Sequence, residues 1–210
     1  MNAAWPDGWV DDERRRLVEP PANEAPALVA VGSVLARTEH SAVLLAGLQV
    51  YTTGIGFTVS LLCRPEALGP GLRDLGDVLW GRGSAGAQLL LGLELADGRR
   101  VTNLPGARHP GGGNDRERLV LSHRGGSGGQ LSADQSWWLS PLPPDGPLRL
   151  VVRCDQLGLA ETVTELDGTA IRAAAAGVVT LWPWVSPREA ELEQPPPPPD
   201  VPVGSWFARG

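Results

Sequence analysis

The sequence predicts an all-β fold: an antiparallel two-sheet β-sandwich, jelly-roll-like, of about eight strands, with one short C-terminal helix and flexible tails. Three observations carry this. The run from Trp137 through Leu139-Ser140-Pro141 to Pro147, followed by Leu148 to Cys154, reads as a strand, a proline-pinned corner and a second strand. Such a corner belongs to a sandwich and not to a βαβ unit. Residues 57–64 and 88–96 alternate apolar and polar side chains with period 2, as half-buried strands do. Asp97-Gly98 stands between two strand patterns, the strongest short-range hairpin signal in the chain.

In order along the chain, residues 1–26 read as an N-terminal arm. Pro6, Pro20, Pro21 and Pro26 block regular structure there, and Asp11 to Val18 has the charge order of a short helical turn. Residues 27–184 form the domain. Leu28 to Arg37 and His40 to Thr53 are strands, the second apolar on both faces. Phe57 to Arg64 is the alternating strand that Pro65 ends. Pro65 to Gly86 is a connection with a short helix around Leu72 to Leu79, close to Trp80. Gln88 to Ala96 and Arg99 to Thr102 form the Asp-Gly hairpin. Leu104 to Glu117 and Arg124 to Gly129 are read as Gly-rich loops around a short strand, Arg118 to His123. Leu131 to Ser140, Leu148 to Cys154 and Leu159 to Leu166 are further strands. Thr169 to Gly177 is helical because of its Ala run, and Val178 to Trp184 is an apolar closing segment. The expected core is Phe57, Val59, Leu61, Leu89, Leu91, Leu93, Leu150 and Val152. Residues 185–210 are an acidic, Pro-rich tail. Pro195 to Pro199 spans roughly 15 Å as polyproline II, and Trp206-Phe207 follows as an aromatic docking segment.

Composition bounds the function. The 210 residues suffice for one domain with a sizeable core plus tails. All 18 basic residues are Arg, which with the Ala, Gly and Pro excess points to a GC-rich coding bias, as in actinobacteria. A net charge of -6 argues against non-specific nucleic-acid binding. Met1 to Pro26 has no apolar signal region, and no apolar run reaches the length of a membrane span. The expected location is therefore cytoplasmic, with Cys63 and Cys154 as reduced, buried thiols.

The stretches Pro26 to Thr38, Tyr51 to Arg64, Leu93 to Asn103, Trp137 to Pro147 and Leu166 to Pro183 resemble an uncharacterised family of actinobacterial proteins. They cover most of residues 26–183. The resemblance implies a single domain and implies no chemistry. The family has Trp-Pro where this chain has Cys154-Asp155, so no surface built on that tryptophan carries over.

No pattern calls for a cofactor or metal. His40, His109 and His123 lack a second ligand at metal spacing. Neither Gly-rich stretch has the Gly-Lys-Ser/Thr of a phosphate loop or opens a helix. The cysteines end strands on the apolar side and have no neighbouring base. Tryptophan carries the functional expectation. Trp137 and Trp138 are adjacent on a strand and point to opposite faces, so one is core and the other is outside unless the helix after Gly168 or the segment Leu181-Trp182-Pro183-Trp184 covers it. The candidate partner-binding residues are Trp5, Trp9, Trp138, Trp206 and Phe207.

Two functions compete. One is a non-catalytic interaction or structural module whose tails tether a protein partner or a second copy. The alternative is a small-molecule- or glycan-binding, even enzymatic, sandwich that uses a face with an exposed Trp. It requires convergent groups such as Glu94, Arg99, Arg153 and Glu161.

Overall fold

Eleven strands, all paired antiparallel, form the described part of the chain. The structure is a computed structural model and describes residues 17–69, 74–79, 88–104 and 118–184. The first larger sheet holds β2 (Ala27–Arg37), β3 (Ser41–Tyr51), β4 (Gly54–Cys63), β7 (Val120–Gly128) and β8 (Ser132–Ser140), in the order β2-β3-β4-β8-β7. The second holds β5 (Leu90–Glu94), β6 (Arg100–Thr102), β9 (Pro147–Cys154) and β10 (Leu159–Asp167), in the order β10-β9-β5-β6. A two-stranded ribbon pairs β1 (Glu24–Ala25) with β11 (Val179–Thr180). The excess over the expected number of strands comes from these very short pieces.

The two larger sheets contribute to one hydrophobic cluster. Alternation decides which side chains enter it. Phe57, Val59 and Leu61 on β4, Leu91 and Leu93 on β5, and Leu148, Leu150 and Val152 on β9 are all buried, with Leu89 just ahead of β5. The eight expected core residues are thus all in the core. The proline corner carries the chain from β8 in one sheet to β9 in the other. Asp97-Gly98 closes the β5–β6 hairpin, with Gly98 at φ +84°. Beyond β6, Asn103 continues the pairing. Its backbone N–H donates to the Leu91 carbonyl, and its side-chain oxygen accepts from the Leu91 N–H, both at 2.9 Å.

The apparent two-faced apolarity of residues 40–53 has a simple cause. A bulge between Leu45 and Leu48, with Gly47 at φ +67°, shifts the inward parity from Val43 and Leu45 to Leu48 and Val50. Further bulges follow Val29 on β2 and His123 on β7. The pairs Val29–Leu48, Leu48–Phe57, Phe57–Trp137 and Trp137–His123 form one row across the sheet. These three bulges lie immediately to the same side of that row, and a fourth shift, between Val34 and Ala36, lies further along β2.

Arg124 to Gly129, expected as a loop, instead extends β7 to Gly128. The physical reason is close approach. A Cβ at Gly126 would stand 2.2 Å from the Asp134 carbonyl, and Gly125 has φ +134°. The glycines let the edge strand recover its pairing with β8 after the bulge. The expected helix after Asp167 is α2 (Gly168–Ala174), preceded in the chain by α1 (Leu75–Leu79). Asp167 caps α2 by accepting from Ala170 N–H at 3.0 Å, and Ile171 plugs the core. A short 3-10 turn, Ala175–Gly177, ends it. Gln135, buried on β8, donates to the Leu79 carbonyl at 2.6 Å and so satisfies the end of α1.

Candidate functional site

Tryptophan 138 is where the sequence expectation meets the structure, and the expectation needs correcting. Neither residue of the pair is exposed: Trp137 is 7% exposed and Trp138 0%. Trp137 belongs to the shared core, and its ring meets His123 edge-on at 5.1 Å. Trp138 lies outside that cluster, on the outer face of the five-stranded sheet. It is covered by Leu17–Asn23, residues the sequence assigns to the arm. The Trp138 indole N–H donates to the Leu17 carbonyl at 3.1 Å, and Tyr51 packs edge-on against the ring at 5.5 Å. Trp138 therefore offers no free contact surface. This strap takes part in the cover, and Asn23 at its end donates its side-chain amide to the Trp182 carbonyl beside the ribbon. Trp5, Trp9, Trp206 and Phe207, together with His109 and Trp80, lie outside the described residues.

The strap walls a depression of about 550 Å³ on that outer face, along the line of bulges. Its floor is made of small side chains, Ala46, Gly47, Gly56, Thr58 and Ser136. Leu28, Gln49, Pro20 and Arg124 surround them. The Thr58 and Ser136 hydroxyls are 3.2 Å apart. Arg124 pairs with Glu19 of the strap at 3.5 Å. One row further on, the Ser60 and Ser127 hydroxyls donate to the two oxygens of Asp134. A Ser–Asp contact of this kind lacks the intervening base that nucleophilic catalysis needs.

A second concavity, about 620 Å³, covers the outer face of the four-stranded sheet. Leu90, Gly92, Val151 and Val163 line its middle. Here three of the four convergent groups sought in the sequence share one face: Glu94, Arg153 and Glu161. Arg99 instead stays in its turn, bound to Asp97. The charges are bound to one another. Arg149 bridges Glu94 at 2.9 Å and Glu165 at 3.3 Å, and Arg100 also pairs with Glu94. The hydrogen bond from Arg149, and then that from Arg100, holds the Glu94 carboxyl below the usual glutamate range. Arg153 grips Asp155 through two bonds, which lowers that carboxyl likewise.

The third feature is an apolar corner within residues 178–184, which the sequence marks as an apolar closing segment and the structure leaves exposed. Val179, Leu181 and Trp182 are 57%, 49% and 56% exposed, whereas the exposed Leu28 lines the depression on the five-stranded sheet. The thiols behave as buried groups: burial raises the pKa of Cys154 and of Cys63. Cys154 is fully buried, whereas Cys63, at the end of β4, is only half-buried, a correction to the expected burial of both. Among the described residues no cluster of His, Cys, Asp and Glu could hold a metal ion, and no helix is long and apolar enough to cross a membrane. No family model matches the chain, nor does any curated protein or solved structure.

Proposed function

We propose that this chain is a non-catalytic protein-interaction module. Its two larger sheets are the layers of a β-sandwich platform, and its tails are tethers acting in the cytoplasm. The observation that carries this reading is the apolar corner. Contiguous exposed apolar side chains mark contact surfaces, and Val179, Leu181 and Trp182 lie where the C-terminal tail leaves the fold. The tail then supplies charge and proline, and ends in Trp206-Phe207. Burying that pair against a protein partner or a second copy contributes a few kcal/mol, less the cost of ordering the tail. The charged groups on the sheet faces support the same reading, because they neutralise each other instead of converging on a substrate.

Deleting Val201 to Gly210 tests it. The expected result is an almost unchanged melting temperature with loss of partner capture or self-association. A truncated protein that is a less stable monomer makes the tail part of the fold and removes this function. A second reading, a small molecule on the four-stranded sheet, rests on the concavity at Leu90, Val151 and Val163. Among the described residues that line this concavity there is no Trp, and the reading requires ligand-induced shifts at Leu90, Val151 and Val163.

A further inference from the structure

The strap over Trp138 shows what the outer face of the five-stranded sheet accepts. Val18-Glu19-Pro20-Pro21 lies across it as an apolar residue, a carboxylate and a proline pair. The carboxylate meets Arg124, and Pro20 lines the depression. The fastening is light. Arg124 and Glu19 keep 36% and 43% of their side-chain surface exposed, and such pairs contribute little. Beside that pair stand one hydrogen bond to the Leu17 carbonyl, the packing of the buried Pro21, and the ribbon beyond Asn23. Beneath it lie groups with hydrogen-bonding capacity to spare: the Thr58 and Ser136 hydroxyls, the Gln49 amide and the further N–H groups of Arg124.

The same chemistry recurs in the tail. Leu192-Glu193-Gln194-Pro195-Pro196 repeats the order of apolar residue, glutamate and proline pair, with one Gln inserted. We propose that the depression is a docking site for an extended, acidic, proline-containing segment. Leu17–Pro21 walls it and shows the chemistry it accepts, and the tail segment 192–199 of the same chain is its occupant, competing with Glu19 for Arg124. This assignment rests on the interaction-module reading and names a site for it. Three facts argue for the tail. Its carboxylate complements Arg124. Proline-rich chain is already extended and loses little entropy on docking. The tail also leaves the fold in the right place. Trp184 follows Trp182, whose carbonyl is bonded to Asn23, four residues from Glu19. The residues from there to Leu192 reach about 26 Å, while crossing four strand spacings takes about 19 Å. Tethering therefore keeps the competing segment at high effective concentration.

The test uses the full chain carrying Glu193→Gln, so that its own tail does not compete, and a synthetic peptide of residues 188–200. The guanidinium N–H signal of Arg124 and the amide signals of Thr58 and Ser136 are followed by NMR. The peptide is expected to move all three. Adding Glu19→Gln to the protein should tighten binding roughly fivefold, the scale of one exposed ion pair. Glu193→Gln in the peptide, or Arg124→Gln in a protein with an unchanged circular-dichroism spectrum, should remove the response. Signals that stay still at saturating peptide, or an affinity indifferent to Glu19, overturn the proposal. Should deletion of Val201 to Gly210 still abolish association in that case, the groove loses its assignment and the module reading stands.

Discussion

Replacing Leu91 by Ala, beside a control at Leu90, tests the register of the central strand of the smaller sheet. Leu91 is 2% exposed and stands opposite Val152 on β9, itself buried. Removing its branched end forfeits about 2 kcal/mol of transfer free energy, and any cavity that persists adds to that. The site has little freedom to collapse. Asn103 pins the Leu91 backbone through both its N–H and its carbonyl, and β9 holds the other side. The expected cost is therefore in the upper part of the range, about 3–4 kcal/mol. Leu90 points to the outer face and is only half-buried, so Leu90→Ala should cost under about 1 kcal/mol. Urea titration of both variants provides the measure, through a shift in midpoint at constant slope. Equal losses, or a larger loss at Leu90, would mean that β5 is paired one residue out of register and that the inner-face assignment is wrong.

Other outcomes follow from the same geometry. Gly126→Ala forces a Cβ to within 2.2 Å of the Asp134 carbonyl, so it should melt the outer half of β7. Faster amide exchange at Ser127 and Gly128, with β3 protected, is the expected signature. Cys63 should react slowly with a thiol reagent in the native state and Cys154 only on unfolding; mass spectrometry after timed labelling reads both, and prompt modification of Cys154 would contradict its burial. The lowered Glu94 pKa sets a sign for acid stability. The ion-paired form contributes fully above the unfolded value, about 4.3, and its contribution disappears as pH falls through the lower folded value. Wild type should thus exceed Glu94→Gln in stability at pH 7, and the difference should close in acid; a gap that widens in acid reverses the assignment.

The parts of this fold legible in the sequence were those written locally. Leu89, Leu91, Leu93 and Leu95 declare one face by spacing alone, and Asp97-Gly98 declares its turn by the φ it needs. The proline corner at Pro141 to Pro147 also announced a change of sheet. What stayed hidden depends on partners far along the chain. The cover of Trp138 comes from Leu17, 121 residues away, and nothing near either residue signals it. The ribbon has the same origin, since Glu24 and Thr180 have no local pattern. Gly125 and Gly126 misled for another reason. Glycine reports conformational freedom, and only the neighbouring Asp134 carbonyl turns that freedom into a requirement for close pairing. The apolar corner could have been suspected from Leu181-Trp182-Pro183-Trp184, but spacing alone does not separate a cover from an exposed surface.

The β1–β11 ribbon also gives the molecule a mechanical character. Its strands run antiparallel, with Glu24 opposite Thr180, and Leu181 N–H donates to the Asn23 carbonyl just beyond the pair. The two ends of the chain thus leave the ribbon from the same side. Tension between them loads those hydrogen bonds one after another, as in opening a zip, and never loads them together in shear. On the N-terminal side the strap's attachments at Leu17 and Glu19 are loaded before the ribbon, and the ribbon opens next, before the strands of the two larger sheets part. A pull thus opens the strap and then the ribbon, so the end of the molecule that presents Trp182 gives way while the core is still intact.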